Sequence, residues 1–366
     1  MNNLSNTHKI VFLLGAGAMI PFGGPTTQAV TERVSIFATC KYLFGILQNR
    51  YKDSCNFETL LSAIELLLEW HSSTDSNKFI ASQNTSIYKS IFQMANVFRF
   101  KTKEEIWEIY RNVINEIIEV IKDYDYYPDF TNRRKGIDPL CLKKYITYYS
   151  KTSLCKIYTL NYDRLIPRIL GKDVDIYEGI DNRQYAYDIK RFVNHPLTHF
   201  NLHGSIYLHY DYKGLILNDY PLEIENPYTI SGGNPNEHKI FLPIIAGYHK
   251  SQRILSEPFN FGAGAFMYDC NTCDEIVIVG YSFSDPHINS IIGNFVNKKS
   301  TQITIIDYSH DMSLSRSLEN RIKHVFSLDT KFSQIDNGTY RDAENKITID
   351  MDGFDKYIRN HQEPFF

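Results

Sequence analysis

The chain has 366 residues, 43% of them hydrophobic and 22% charged, a balance that excludes wholesale disorder. Lys plus Arg number 39 against 42 Asp plus Glu, a formal net charge of −3, so no basic excess gives a direct signal for nucleic acid. Six cysteines are too sparse for a disulfide scaffold. No stretch approaches the roughly 18 apolar residues of a membrane span, so reduced thiols, a cytoplasmic setting and no membrane partner are expected.

The first element is KIVFLL, residues 9–14, a short apolar run that reads as a buried strand and leads into GAGAMIPFGGPTT. Residues 28–150 then change character. SCNFETLLSAIELLLEW places Phe57, Leu60, Leu61, Ile64, Leu67 and Leu68 at helical spacing, with Asn56 as a helix start. Residues 87–100 give a second helix, residues 103–124 a longer third with Ile106, Tyr110, Val113, Ile117 and Ile121 on one stripe, and residues 140–149 a fourth. Three further strands follow: CKIYTL at 155–160, EIVIVG at 275–280 and QITIID at 302–307. Between the second and third, residues 177–240 are loop-rich, and residues 250–271 carry helical segments. From residue 331 the tail has no clear pattern. Buried strands interleaved with helices imply an α/β fold with a Rossmann-like doubly wound parallel sheet and a large α-helical insertion.

The residues able to carry chemistry sit where these strands end. Gly15, Ala16 and Gly17 follow the first strand; small residues there either let the backbone approach a phosphate or simply make a tight turn. The third Gly of a GxGxxG pattern is replaced by Ile20. Thr159-Leu160-Asn161-Tyr162-Asp163 sets an amide, a phenol and a carboxylate after the second strand, with Asn161 either a ligand group or a turn former. His203, in Asn201-Leu202-His203-Gly204-Ser205, is either a packed imidazole or an acid–base group. Gly280-Tyr281-Ser282 offers N–H groups and a hydroxyl after the third strand, and Asp285 precedes a helix it would cap. Asp307 ends the fourth strand, where a carboxylate often holds ribose hydroxyls.

Taken in order, GAGA, TLNYD, LHGS, GYSFSD and IID resemble the sirtuin-like NAD-consuming family over residues 9–27 and 155–310. Deacylating sirtuins carry two Cys-x-x-Cys pairs that hold zinc. Here only Cys270 and Cys273 have that spacing, and a structural zinc needs four ligands. The Asp-Phe-Arg stretch after the first loop is also replaced, by Gly24-Pro25-Thr26-Thr27. The chain therefore looks like the zinc-less, NAD-hydrolysing effector domains of bacterial anti-phage defence systems.

That resemblance implies a division into a sirtuin-like core (1–27 and 151–330), a helical insertion subdomain (28–150) and an unplaced tail (331–366). It implies NAD+ as substrate, with no zinc and no other metal, and cleavage to nicotinamide and ADP-ribose. Asn161 and His203 match the catalytic pair. Gly15, Ala16 and Gly17 match the pyrophosphate loop, Asp163 a residue near the nicotinamide amide, Gly280 and Ser282 the adenosine side, and Asp307 the adenine ribose. ADP-ribosyl transfer, deacylation and non-catalytic nucleotide sensing are the alternatives. A toxic NADase needs restraint, so a homo-oligomer, a separately encoded sensor or a HerA-type ATPase is expected as partner.

Overall fold

The computed structural model describes residues 8–51, 55–72, 102–125, 139–183, 186–211, 214–221, 244–247, 250–255, 259–296, 300–329, 331–344 and 346–361. The helix expected at 87–100 lies outside them. The strands are β1 (Lys9–Leu14), β2 (Leu154–Thr159), the short pair β3 (Ile180–Asp181) and β4 (Ala186–Tyr187), β5 (Leu197–Asn201), the hairpin β6 (Leu208–Asp211) and β7 (Gly214–Leu217), β8 (Glu275–Val279), β9 (Gln302–Ile306), β10 (Ser333–Asp336), β11 (Thr339–Arg341) and β12 (Ile347–Asp350).

Eight of these form one sheet in the order β10-β11-β12-β9-β8-β1-β2-β5. From β12 to β5 every neighbour is parallel, while β10, β11 and β12 run antiparallel. Numbered along the chain, the six parallel strands lie side by side as 3-2-1-4-5-6, the order of dinucleotide-binding doubly wound folds. The α/β class and the doubly wound sheet expected from the sequence are therefore observed. The strand order reverses between β1 and β8, which leaves a crevice at their carboxyl ends.

Both faces of the sheet are covered, which is why its central strands are apolar without alternation. Ile10, Phe12 and Leu14 of β1 point into one core, and Val11 and Leu13 into the other. Helices Thr27–Val34, Phe57–Ser72, Lys103–Asp125 and Pro139–Thr152 pack on the first face through Val30, Leu60, Ile64, Tyr110, Val113, Ile117 and Leu142. Helices Asn260–Thr272, Pro286–Phe295 and Arg316–Phe326 fill the second through Phe266, Ile288, Ile292 and Ile322. The helices between β1 and β2 thus share one core with the sheet and form a layer of it.

Two helix starts in that layer are capped by side chains, the first of them by Asn56 as the sequence suggests. Asn56 Oδ1 accepts from the N–H groups of Glu58 (2.9 Å) and Thr59 (3.2 Å), and Thr102 Oγ1 accepts from Glu105 N (3.3 Å). The far end of helix Lys103–Asp125 is tied to the loop after β2. Tyr124 Oη donates to Asp163 Oδ2 (2.5 Å), and Arg164 N donates to Asp125 Oδ2 (2.7 Å). The segment after residue 331, left unplaced by the sequence, supplies β10–β12 and helix Phe354–Asn360, so the sheet continues past residue 330.

The β1 and β8 loops touch through bare backbone. A Cβ on Gly280 would stand 2.3 Å from Ala18 N, and one on Gly15 would stand 2.4 Å from Gly280 O. Gly280 also has φ +57°, which disfavours any side chain. Gly264, exposed in helix Asn260–Thr272, has nothing within 4 Å of its would-be Cβ. Gly280→Ala should cost about 1–3 kcal/mol in denaturant unfolding, whereas Gly264→Ala should gain about 0.5–1 kcal/mol. Equal effects of the two would refute the packing described.

Candidate functional site

Four adjacent parallel strands, β5, β2, β1 and β8, deliver their carboxyl-end loops to one place. Gly15 N donates to Val279 O (2.8 Å) and Gly17 N to Gly280 O (3.1 Å), so the β1 loop is laced to the β8 loop. Ala18 N returns to Gly15 O (3.1 Å) and starts the 3₁₀ turn Ala16–Phe22. Ala16 is left exposed at the cleft and Gly17 half-buried.

The β8 loop is held in an uncommon conformation. Phe283 is buried at φ +54°, a left-handed backbone that costs a bulky residue about 1–2 kcal/mol. Asn289 fixes it, donating from Nδ2 to Phe283 O (3.0 Å) and accepting from Tyr281 Oη (2.8 Å). Burying Tyr281 and Phe283 turns Ser282 and Ser284 outward, their hydroxyls 2.7 Å apart.

Asn161 and His203 come from the next two strands. Asn161 N is bonded to Thr159 Oγ1 (3.0 Å), and its Nδ2 donates to Gly15 O (3.1 Å), which fixes the amide against the β1 loop. Asn201, ending β5, sends Nδ2 to the carbonyls of Asn161 (2.8 Å) and Asp163 (2.7 Å). Leu202 N donates to Thr159 O (2.8 Å), and Gly204, at φ +79°, turns the chain so that His203 faces the crevice. The cleft is about 420 Å³ and is lined by Gly15, Ala16, Gly17, Asn161, His203, Lys250, Gly280, Ser282 and Asp285 among others. That size is within the range of small-molecule sites. An adjoining chamber of about 110 Å³ shares Ala16, Glu58 and Asn161 and is otherwise mainly apolar, with Phe57, Ile117 and Ile121.

The electrostatics of the cleft centre on a buried cation. Lys250 Nζ lies 2.8 Å from Asp285 Oδ1 and 3.0 Å from Glu58 Oε1. Burial works against its charge, but the two carboxylates outweigh it and hold its pKa above the ordinary lysine value. The trio keeps one net negative charge. His203 is 2% exposed, and its Nε2 lies 3.0 Å from His287 Nε2. Burial, then the Lys250 charge, then His287 push the His203 pKa well below 6.5, against a hydrogen bond to the Leu160 backbone. Burial brings His287 down to about 4, although Asp285 opposes the shift. Both rings are neutral at neutral pH, and a neutral pair with facing nitrogens shares one proton.

The structure thus gathers Gly15, Ala16, Gly17, Asn161, His203, Gly280 and Ser282 at one cleft. It sets two expected residues apart from them. Asp163 is 3% exposed and lies behind the cleft, where it accepts from Tyr124 Oη and from Leu165 N (3.0 Å). Asp307 lies one strand beyond β8, outside the cleft lining, with Oδ1 on Tyr308 N (2.8 Å). Asp285 occupies the N-cap position of its helix, but its side chain makes no capping bond and serves Lys250 instead. Glu58, Lys250 and His287 were not anticipated. Of these, Glu58 alone stands beside a local signal, two residues after the Asn56 helix start. Cys270 and Cys273 are buried in the core, with Cys273 Sγ donating to Cys270 O (3.4 Å).

No protein family matches the chain, and no curated protein is significantly similar to it. Among solved structures, the chain is similar to a Sir2 homologue in complex with NAD: 13% identity, TM-score 0.39, covering 88% of this chain and 91% of that one. A structure described as the basis of sirtuin substrate affinity gives 11% identity and TM-score 0.39 over 98% and 94% of the two chains. A mutant Sir2 homologue in complex with ADP-ribose gives 14% and 0.37 over 90% and 97%. Likenesses this loose carry no argument, and the doubly wound fold rests on the strand order of the chain itself.

Proposed function

We propose that the cleft binds NAD+ and hydrolyses it to nicotinamide and ADP-ribose. The observation that carries this reading is that Asn161 and His203 face the same cleft as the glycine crossing at the switch point, where doubly wound folds hold dinucleotides. The backbone of Gly15, Ala16 and Gly17 would lie along the pyrophosphate, and Gly280 and Ser282 along the adenosine half. Asp163 supports this arrangement from behind, as a residue positioning the Asn161 loop, and Asp307 would meet the adenine ribose only at the far edge.

The pyridinium of NAD+ is already a good leaving group. Breaking its bond to C1 of the ribose builds positive charge on the sugar, and water adds to C1 with loss of a proton. Fixed dipoles and charges supply most of the catalysis in such a step. Asn161, held by Gly15 O, orients the ribose and the water. Neutral His203 takes the proton at Nε2 in place of the one it shares with His287. The net negative charge of Glu58, Lys250 and Asp285 favours the cationic sugar. General-base assistance contributes roughly 10²–10⁴-fold.

The biological reading is NAD+ depletion in anti-phage defence, without the structural zinc of the deacylases, under restraint by self-assembly or by a separate sensor such as a HerA-type ATPase. It is supported by the motif resemblance alone.

Asn161→Ala and His203→Ala should each lower NAD+ cleavage by at least about 10²-fold while circular dichroism shows the fold intact; full turnover by both would end the proposal. The pH profile gives a second test. A base is active when neutral, and the His203 pKa lies well below 6.5. The loss of kcat/KM that reports protonation of His203 should therefore lie well below pH 6.5, where the imidazole gains its proton. A limb centred near 6.5 would show an unshifted histidine and contradict the site described.

A further inference from the structure

Neither the proposed hydrolysis nor the packing of the core requires His287. It sits in the first turn of helix Pro286–Phe295, beside Asp285, and both side chains approach His203. One ligating atom from each of His203, Asp285 and His287 lies within 4.8 Å of the other two. The imidazole nitrogens are closer still, Nε2 to Nε2 at 3.0 Å. Two nitrogens bound at ~2.0–2.1 Å to a tetrahedral ion stand about 3.3 Å apart. A small opening of the pair therefore admits a cation in place of the shared proton, with an Asp285 carboxylate oxygen within 4.8 Å of both nitrogens.

The surroundings suit such an ion. Ligands of a metal are usually held from outside by further hydrogen bonds. Asp285 Oδ1 takes Lys250 Nζ, which Glu58 secures in turn, so the second carboxylate oxygen is oriented rather than free to wander. Lys250 is outweighed by Glu58 and Asp285, so a divalent ion would not enter a cationic site. The cleft that His203 and Asp285 line gives the path in. Two imidazoles and one carboxylate, with positions left open, favour Zn2+ and its first-row neighbours over Mg2+ or Ca2+.

We propose that His203, His287 and Asp285 form an inhibitory site for a divalent transition-metal ion, Zn2+ foremost, which occupies the His203 Nε2 lone pair and stops NAD+ cleavage. The inhibition rests on the reading of His203 as proton acceptor, whereas the metal site does not.

The test titrates the full chain with Co2+, followed by visible absorption and calorimetry, and measures NAD+ cleavage with added Zn2+ and with EDTA. One ion should bind per chain with the ligand-field bands of a nitrogen and oxygen site and no thiolate charge-transfer band. His287→Ala and Asp285→Asn should each weaken binding by at least about tenfold, and Cys273→Ser should leave it unchanged. Zn2+ should suppress wild-type cleavage and EDTA restore it, while whatever cleavage His287→Ala retains should be insensitive to Zn2+. No uptake of Co2+, or uptake lost in Cys273→Ser and kept in His287→Ala, would overturn the site. Zn2+ bound at the histidines with cleavage undiminished would overturn its inhibitory role. Absence of cleavage in every arm would count against the hydrolase reading alone, because the binding curves still decide the metal site.

Discussion

The site depends on one backbone contact. Gly15 and Gly17 lie against Gly280 so closely that none of the three has room for a methyl group. This contact sets the distance between the loops of β1 and β8, at the point where the strand order reverses. Asn161 takes its position from the same place, through its bond to Gly15 O, and Asn201 then ties the β5 loop to the Asn161 loop. His203 follows two residues later. The functional groups of four strands are thus registered to one another through main chain, with little side-chain freedom to lose.

A second constraint comes from the helical layer over the sheet. Helix Phe57–Ser72 brings Glu58 to the cleft, and helix Lys103–Asp125 ends with Tyr124 and Asp125 on the loop that carries Asn161. Two buried carboxylates, Asp125 and Asp163, stand at that junction. Burial and mutual repulsion raise the Asp125 pKa to about 7, despite the Arg164 N–H and the Arg168 charge. The long insertion therefore shapes the site as well as covering the sheet. The cleft is polar, while the adjoining chamber is largely apolar.

The strands that the sequence made legible are the ones buried on both faces, where apolar runs of five or six residues bounded by turns leave little else to form. β5 was not legible. Its Thr198 and His199 are buried but polar, so Leu-Thr-His-Phe-Asn reads as a loop. β12 and its hairpin partners are short and alternate with Asp and Thr, and they are strands because β9 offers an open edge. Lys156 sits fully buried in β2, tolerated because its ammonium donates to the carbonyls of Phe192, Val193 and His195 at a helix end. At the site, loop residues that follow strands were readable in chain order. Lys250 and Glu58 meet across 192 positions, and no local spacing announces such a pair. Asp163 stands in the expected loop, but Tyr124, 39 residues earlier, decides which way it points.

The central claim is that water, rather than a protein side chain or a second substrate, takes the ADP-ribosyl group. The most direct measurement is mass analysis of the products of NAD+ in ¹⁸O-labelled water, with the purified chain alone and with its neighbouring gene products. The account predicts free nicotinamide and free ADP-ribose carrying one labelled oxygen at C1. ADP-ribose found on protein, unlabelled product, or no cleavage under either condition would contradict it.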